Sequence, residues 1–463
     1  GLCIFGIRGR TGYNPIKVSA AYFCQDAFLN QLGVSPTFNL LTSVMDDMRP
    51  ENKYLHLMDE QEAITKAQAL LNRQGDANVS PLAVYRHAAK ADSVQQRRPN
   101  VVLIMMESMS SKLMKHFGQS ETLTPFLDSL YTRSISFRNF YSAGIHTNHG
   151  LYATLYSFPA MMKRNLMKGS VIPRYSGLPT VLKENGYYNL FFMTHEGQYD
   201  NMNAFFRTNG YDEVFSQEDY PADKVVNSFG VQDDFLYDYA IPVLNQRAAT
   251  GQPFFATLLS ISNHPPYVIP PFFHPKTSEP EMQIVEYADW ALRQFFEEAR
   301  KQPWFDNTIF VLEGDHGKLV GDAECELPES YNHIPLMIYS NRIQPEEKTA
   351  FGGQVDIQPT ILGLLNIDYL QNNFGVDLLK EERPCMFYTA DNMVVGRNDT
   401  LLYLYNYETQ QELTYDIGNG KLNAVPMDDS FLPLKEYSFS MLQSAEFLVK
   451  HGKTLNSIPF TQQ

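Results

Sequence analysis

Cysteine is scarce in this sequence, and the four that occur lie far apart, at Cys3, Cys24, Cys325 and Cys385. Such spacing excludes a zinc-knuckle motif and does not reveal the redox compartment. Long hydrophobic runs are missing as well, since no stretch approaches the roughly 18 apolar residues of a membrane-spanning helix. Basic residues are too few to balance the acidic ones, 37 against 52, which gives a net charge of −15. That charge argues against nucleic acid, or an anionic membrane surface, as the main partner.

Residues 1–99 are predicted to form a helical stalk and linker. The patterns at 20–32 and 60–71 indicate short amphipathic helices, and the polar stretch 74–99 has the composition of a linker. The chain opens with Gly1-Leu-Cys-Ile-Phe-Gly-Ile, without an initiator Met or a signal peptide. We interpret this start as a cut just after a hydrophobic region, although a trimmed tag would look similar.

From residue 100 onward, continuous apolar runs alternate with helical stretches. Val101-Val-Leu-Ile-Met-Met is typical of a strand that is buried on both faces of a parallel sheet. Four more runs share this character: 189–193, 254–261, 308–312 and 334–339. We therefore predict an α/β fold, a three-layer αβα sandwich with a mostly parallel central sheet, over residues 100–384. A small C-terminal α+β subdomain is expected over 385–463, with a helix near 437–451.

Polar side chains follow the predicted strands where each one ends. They are Glu107, His195, His264, the pair Asp315-His316 and, less clearly, Tyr339-Ser340. Ligands of open parallel sheets bind outside the carboxyl ends of the strands, so the first four groups are expected to converge on one crevice. Each has an ordinary explanation when taken alone, such as a helix cap, a turn or a loop histidine. Their coincidence at one sheet edge favours a site.

Thr147 is the candidate nucleophile. It follows the turn Ser142-Ala-Gly-Ile-His and precedes a helical run, where free backbone N–H groups and the positive helix end favour an anion. The segment alone allows equally well that Thr147 is a plain N-cap. A metal ion at this position would favour the nucleophile over the N-cap, because it can lower the pKa of the hydroxyl enough to give an alkoxide. Glu107, Thr147, Asp315 and His316 together offer three oxygens and a nitrogen, a set that suits Mn²⁺, Zn²⁺ or Mg²⁺.

Two further histidines are candidates for contact with a phosphoryl group. His264, stiffened by two following prolines, is predicted to bind a phosphoryl oxygen or to pass a proton to the leaving group. His195 would act similarly from the other side. His146, His149 and His333 are weaker candidates, and at least one of them is expected to be structural.

These residues resemble those of the lipoteichoic acid synthase-like phosphoglycerol transferases, within the alkaline phosphatase and sulfatase superfamily. The resemblance covers most of the chain and rests on a set of motifs: Asn100-Val-Val-Leu-Ile-Met-Met-Glu-Ser, Thr124-Pro-Phe-Leu-Asp-Ser-Leu, His146-Thr-Asn-His-Gly, Gly210-Tyr-Asp, Ser262-Asn-His-Pro-Pro-Tyr, Glu313-Gly-Asp-His-Gly and Val355-Asp-Ile-Gln-Pro-Thr-Ile-Leu-Gly-Leu-Leu. Residues 20–36 are similar to the stalk between the family's membrane bundle and its catalytic domain.

The resemblance implies one catalytic divalent ion held by Glu107, Thr147, Asp315 and His316. Mn²⁺ is the ion in the best-known members, with Zn²⁺, Mg²⁺ and Ca²⁺ as alternatives. It also implies a covalent phosphothreonine at Thr147 and phosphoryl contacts from His264 and His195. Finally, it implies a membrane-spanning region upstream of Gly1 and a catalytic domain outside the cytoplasm.

Two departures from the family pattern bear on the substrate. After His195 the family usually has a Trp and an Arg for glycerol phosphate, whereas here neither a Trp nor an Arg occurs before Arg207. The Cys/Ser-x-Pro-x-Arg motif of true sulfatases is missing from the chain. This argues against standard sulfate ester hydrolysis.

The function expected from the sequence is transfer of a phosphoglycerol-type headgroup from a phospholipid to a glycan or lipid hydroxyl, at the outer face of the cell membrane. Phosphoethanolamine transfer and phosphodiesterase- or sulfatase-type hydrolysis are the enzymatic alternatives. A non-enzymatic alternative is an inactive surface domain that binds glycans.

Overall fold

The computed structural model of the chain describes residues 8–72, 84–92, 98–169 and 171–456. The start at Gly1 and much of the predicted linker, 73–83 and 93–97, lie outside the described residues. No helix in the described ranges is both long and apolar enough to span a membrane.

Eleven α-helices occur in the described ranges. In chain order they are α1 Ala27–Leu32, α2 Pro36–Asp47, α3 Glu60–Leu71, α4 Pro125–Tyr131, α5 Thr147–Tyr156, α6 Leu178–Glu184, α7 Met202–Thr208, α8 Asp233–Ala249, α9 Pro280–Ala299, α10 Ile357–Leu364 and α11 Leu432–Lys450. The helix predicted at 20–32 is shorter than expected, because α1 begins only after the N-cap Asp26, whose side chain accepts from two backbone N–H groups.

The strands form four sheets across the described residues. In chain order they are β1 Tyr85–Ala88, β2 Asn100–Met106, β3 Ile135–Phe137, β4 Phe140–Tyr141, β5 Tyr188–Phe192, β6 Glu213–Phe215, β7 Phe254–Leu259, β8 Thr308–Gly314, β9 Leu336–Tyr339, β10 Glu346–Lys348, β11 Gly352–Gly353, β12 Tyr369–Asn372, β13 Met386–Thr389, β14 Met393–Arg397, β15 Leu401–Asn406, β16 Glu412–Asp416 and β17 Asn423–Ala424. The largest sheet has eight strands in the order β10-β3-β9-β8-β2-β7-β5-β6.

The predicted αβα sandwich is confirmed, and β2 at the centre of the sheet shows why the sequence indicates it. Every residue of β2 is buried. Val101, Leu103 and Met105 belong to one hydrophobic core, which includes residues of α5, α6 and α10. Val102 and Ile104 belong to a second core, with residues of α4, α8 and α9. Since strand side chains alternate between faces, helices cover the sheet on both sides and the strand needs apolar residues at every position.

One strand of the large sheet runs against the others. β9 pairs antiparallel with both of its neighbours, β3 and β8. The fifth polar strand end of the sequence analysis, Tyr339-Ser340, therefore lies at the opposite sheet edge from the other four. An apolar run reports burial but not direction, which is why the pattern did not separate β9 from its neighbours.

The terminal segments pack onto the sandwich. β13–β17 form an antiparallel sheet beside α11, in agreement with the α+β character expected after residue 385. Gln443 on α11 accepts a hydrogen bond from the backbone N–H of Leu57, close to α3. Within the predicted linker, β1 pairs with β12, and its Arg86 is fully buried. The division at residues 99 and 384 remains a prediction.

We predict that Arg383→Ala destabilises the fold strongly. The buried Arg383 guanidinium binds both carboxylate oxygens of Asp356 and donates to the Tyr437 hydroxyl of α11. Its removal would leave Asp356 buried and uncompensated, at a cost of about 3–5 kcal/mol in the free energy of unfolding. Denaturant titration measures this loss. Arg293→Ala, which breaks a half-exposed pair with Glu297, should cost under about 1 kcal/mol.

Candidate active site

Four neighbouring strands bring the predicted residues to one edge of the sheet. β8, β2, β7 and β5 are adjacent and mutually parallel. Glu107 directly follows β2, and Asp315 and His316 follow β8. His264 and His195 lie a few residues beyond β7 and β5. The carboxyl ends of the four strands lie at one sheet edge because the strands are adjacent and parallel, and this places the predicted residues together.

Glu107, Asp315, His316 and Thr147 form a compact cluster. The Thr147 hydroxyl donates to Oδ2 of Asp315 at 2.8 Å and lies 3.3 Å from Oε2 of Glu107. Nε2 of His316 is 3.6 Å from a carboxylate oxygen of each acid. One ligand atom from each of Glu107, Asp315 and His316 lies within 4.8 Å of the others.

Backbone and side-chain hydrogen bonds orient the two acids. Oδ1 of Asp315 accepts from the N–H groups of Ser108 and His316, which leaves Oδ2 directed at Thr147. Ser108 has φ of 51°, an uncommon left-handed conformation, and its hydroxyl donates to Oε1 of Glu107. Strain of this kind is typical of functional sites, where the surrounding contacts maintain it.

The His316 ring is held in the tautomer that a cation requires. Nδ1 lies 2.7 Å from the carbonyl oxygen of Gly317, so this nitrogen carries the proton and donates. In the neutral ring, Nε2 then presents its lone pair toward the acids. A backbone partner on the far ring nitrogen is the usual arrangement for a metal-binding histidine.

Helix α5 delivers the Thr147 hydroxyl. Thr147 is the first residue of α5, and the preceding His146 occupies the N-cap position in an extended conformation. Farther along α5, Thr154 donates to the buried Glu313 of β8 at 2.5 Å. Gly150 allows close approach, because a Cβ there would lie 2.2 Å from the carbonyl oxygen of Asp315. The Thr147 side chain thus contacts the acids instead of capping the helix.

The cluster carries negative charge that the protein does not neutralise. Glu107 and Asp315 are 2% and 0% exposed, and no Lys or Arg in the described ranges forms an ion pair with either. Burial, and then the neighbouring Asp315 charge, raise the pKa of Glu107 well above its usual value. A tetrahedral ion with bonds of about 2.1 Å has ligands about 3.4 Å apart. The observed 2.8–3.6 Å separations therefore fit a divalent cation.

His264 and His195 flank the cluster. Each ring has Nδ1 near a backbone carbonyl oxygen, that of Pro265 at 2.5 Å and that of Glu196 at 3.0 Å. Burial lowers the pKa of both histidines. His264 lies close enough to Asp315 and His316 for their charges to act on its pKa as well. His195 is 1% exposed and packs on the Tyr199 ring, with centroids 4.6 Å apart.

The three weaker histidine candidates differ in their surroundings. His146 is exposed, and its Nε2 lies 2.6 Å from a carboxylate oxygen of Asp391. His149 is fully buried, and burial lowers its pKa to about 3. His333 Nε2 lies 2.7 Å from the carbonyl oxygen of Arg138. Burial thus sets His149 apart from the exposed His146, and a structural role for at least one member of this group stays a prediction.

Ser108 and Lys318 belong to the site but were not predicted from the sequence. Lys318 Nζ donates to Oδ1 of Asn263 at 2.7 Å, and Asn263 in turn donates to the carbonyl oxygen of Ser108. Burial lowers the pKa of Lys318 to about 8. This chain of contacts connects the loops of β8, β7 and β2. In the sequence, Ser108 is the last residue of the motif that contains Glu107, and Lys318 directly follows the motif that ends at Gly317. Their position next to predicted site residues was the only signal.

Comparison with known families decides the identity of the domain. Residues 99–367 match the family model described as Sulfatase. The chain belongs to the sulfatase family. The match spans β2, α5 and β8, so the whole Glu107, Thr147, Asp315 and His316 cluster lies inside the sulfatase domain.

Relatives of this sulfatase-family chain include lipoteichoic acid synthases. Lipoteichoic acid synthase 1 of Bacillus subtilis is 25% identical over 350 residues, which cover 70% of this chain and 53% of that protein. Lipoteichoic acid synthase of Staphylococcus aureus (strain USA300) is 23% identical over 374 residues, covering 72% of this chain and 54% of that protein. The chain therefore spans about half the length of the curated relatives it matches.

Solved structures of the superfamily share the fold. A protein of the alkaline phosphatase superfamily from Vibrio parahaemolyticus has a TM-score of 0.77 and 25% identity, covering 88% of this chain and 100% of its own. The lipoteichoic acid synthase LtaP from Listeria monocytogenes has a TM-score of 0.66 and 22% identity, covering 77% and 93%. The resemblance inferred from the sequence motifs is thus confirmed: this is a lipoteichoic acid synthase-like member of the alkaline phosphatase superfamily, a group of enzymes that generally use a divalent metal.

Proposed function

We propose that the chain is the catalytic part of an extracytoplasmic, metal-dependent transferase. It would move a phosphoglycerol-type headgroup from a phospholipid to a glycan or lipid hydroxyl. The proposal rests on one observation: the half-buried Thr147 hydroxyl donates at 2.8 Å to Asp315 inside an acid and histidine cluster. A threonine in that environment supports nucleophilic catalysis, since an ordinary threonine hydroxyl is too weak a nucleophile at neutral pH.

In the first proposed step, Oγ1 of Thr147 attacks the phosphorus of the lipid headgroup. The Oγ1–P bond forms, the P–O bond to diacylglycerol breaks, and the Thr147 proton leaves along its hydrogen bond to Asp315. The departing alkoxide takes a proton from His264. The lowered pKa of His264 makes its protonated ring the stronger acid for this purpose.

In the second proposed step, a hydroxyl of the acceptor attacks the phosphothreonine. Neutral His264 takes the proton of that hydroxyl, the new P–O bond forms, the Oγ1–P bond breaks, and Oγ1 of Thr147 takes back the proton that Asp315 held. Water in place of the acceptor gives hydrolysis, which is the phosphodiesterase alternative. His195, buried beyond the end of β5, would bind a non-bridging phosphoryl oxygen.

Glu107, Thr147, Asp315 and His316 would hold one divalent cation, with Mn²⁺ proposed ahead of Zn²⁺, Mg²⁺ and Ca²⁺. When bound, such an ion lowers the pKa of an alcohol and offsets charge on phosphoryl oxygens. A set of three oxygens and one nitrogen suits Mn²⁺, Zn²⁺ and Mg²⁺ better than Ca²⁺, which prefers oxygen ligands throughout.

Several of the similar proteins are named lipoteichoic acid synthases, which supports the proposed headgroup transfer. We therefore propose a phospholipid donor, a glycan or lipid acceptor, and a position at the outer membrane face through a region preceding this chain. The test is a donor panel of phosphatidylglycerol, phosphatidylethanolamine and an aryl phosphodiester, with release of the alcohol measured for each. Release from phosphatidylglycerol is expected, and inertness toward all three donors would oppose an enzymatic function.

Phosphoethanolamine transfer is kept as a second candidate because of Asp200. This carboxylate lies 3.4 Å from Nδ2 of Asn148, the residue after Thr147, and 3.7 Å from Nζ of Lys168. Asp200 and Asn201 both have positive φ, 48° and 64°. A carboxylate beside the nucleophile helix suits an ammonium group better than a glycerol hydroxyl.

Asp200→Asn separates the two candidates. If the headgroup carries an ammonium group, the variant should lower kcat/KM for phosphatidylethanolamine about tenfold, the effect of one charge-assisted hydrogen bond. Phosphatidylglycerol should be almost unaffected. Lys168→Ala is the reciprocal control, because it frees Asp200 from its partner and should favour the cationic donor. Equal effects of Asp200→Asn on both donors would exclude headgroup selection by this residue.

A further inference from the structure

The N-terminal segment Arg8–Tyr22, named here the strap, binds the loop that carries His195. This loop, residues 193–201, joins β5 to α7. Arg10 Nη2 lies 2.5 Å from Oε2 of Glu196 and donates to it. The same oxygen accepts from Nδ2 of Asn14 at 3.2 Å. The segment predicted as a stalk is therefore in contact with the candidate site.

Gln198 makes reciprocal contacts with the backbone of the strap. Its Oε1 accepts from the N–H of Lys17 at 2.7 Å, and its Nε2 donates to the carbonyl oxygen of Pro15 at 2.9 Å. The same Nε2 donates to Glu196 at 3.0 Å. Glu196 and Gln198 are 6% and 2% exposed, so these polar groups depend on the strap for their partners.

Glu196 is also the residue that orients His195. Its carbonyl oxygen lies 3.0 Å from Nδ1 of His195. A hydrogen bond at Nδ1 sets both the tautomer of an imidazole and the direction of Nε2. The side chain of Glu196 is held by the strap, while its main chain holds the histidine. A continuous set of contacts thus runs from Arg10 to the His195 ring.

We propose that Arg10 is a positioning residue for His195 and acts through Glu196. The strap is then a component of the active site rather than a spacer before it. Among the described residues, Arg10 is the only basic side chain that forms an ion pair with Glu196. Loss of Arg10 would leave a nearly buried carboxylate without this partner and would release the loop. The role of His195 as a phosphoryl contact comes from the proposed function, and the positioning role of Arg10 rests on it in this respect only.

The first test is a comparison of variants in phosphodiester turnover. Arg10→Ala should lower kcat/KM about 10–100-fold, because misplacement of a catalytic group by about 1 Å costs up to about 100-fold. The charge exchange Arg10→Glu with Glu196→Arg should recover part of the loss. Lys66→Ala is the matched control, since Lys66 ties the N-terminal segment to α11 through Glu436 instead of to this loop. It should have little effect on kcat/KM.

Epistasis separates positioning from a general structural role. If Arg10 acts through His195, Arg10→Ala combined with His195→Ala should be no slower than His195→Ala alone. If the two substitutions instead lower turnover by independent factors that multiply, and Tm falls in parallel, the proposal is overturned.

Amide hydrogen exchange tests the contact between the strap and the His195 loop without any measurement of activity. Amide hydrogen exchange of residues 193–201 should accelerate in Arg10→Ala and remain unchanged in Lys66→Ala, with or without turnover. Unchanged exchange in Arg10→Ala would overturn the strap proposal even if the protein is an active transferase. Faster exchange in a protein that cleaves no donor would support the strap while rejecting the proposed function.

Discussion

Thr147→Ala is expected to reduce turnover by about four orders of magnitude or more, with little effect on the fold. Removal of a nucleophile that acts as one unit with its activating groups typically costs about 10⁴–10⁶-fold in kcat. The methyl side chain of alanine leaves Glu107, Asp315 and His316 in place, so most of the divalent binding should persist. The measurement is release of diacylglycerol from phosphatidylglycerol by wild type and variant at matched metal concentration.

Two companion variants sharpen the Thr147 result. Thr147→Ser keeps a hydroxyl at the same position and should retain measurable turnover. Thr132→Ala removes a hydroxyl that bonds only to the carbonyl oxygen of Ser129, outside the cluster, and should behave as wild type. Mass spectrometry of the peptide containing Thr147 should detect the phosphorylated headgroup adduct after rapid quenching. Wild-type headgroup release by Thr147→Ala would reject the proposed mechanism.

Asp315→Asn is expected to abolish metal-dependent turnover while stabilising the metal-free protein. Burial, and then repulsion by the Asp315 charge, raise the pKa of Glu107. Asparagine keeps an oxygen for the N–H groups of Ser108 and His316 and places its amide where Oδ2 of Asp315 faces the Thr147 hydroxyl. One charge is lost, so the metal-free variant should unfold at a higher temperature than metal-free wild type.

Added Mn²⁺ should reverse that order. A ligand at 100 times its Kd stabilises a folded protein by about 2.7 kcal/mol, and the variant would gain little because it has lost a charged ligand. Thermal unfolding with EDTA and then with Mn²⁺, Zn²⁺, Mg²⁺ or Ca²⁺ measures both halves of the prediction. Asp391→Asn, which changes a half-exposed acid beside His146, is the control. Equal stabilisation of wild type and Asp315→Asn by every ion would exclude this cluster as the metal site.

Apolar runs carried enough information to predict the sandwich. β2 and β8 are hydrophobic at successive positions because helices cover both of their faces, and a strand with one wet face would alternate instead. The prediction that their carboxyl ends hold the site follows from the same topology. The chemical identity of Glu107, Asp315 and His316, and their place just after strands, was sufficient to name a candidate cation site before any coordinates.

Two features were decided only by the tertiary structure: the direction of a strand within the sheet, and contacts between residues that are far apart in the sequence. β9 is as apolar as its neighbours, but hydrogen-bond pairing sets its antiparallel direction, and hydropathy does not encode pairing. Arg10 and Glu196 are separated by 186 positions. Hydrophobic periodicity is a local property of the sequence, so it does not predict that the N-terminal segment contacts the His195 loop. Sequence determined which groups stand at the strand ends, because burial imposes a local pattern. Only folding determined which groups meet, because contact between remote side chains depends on the path of the whole chain.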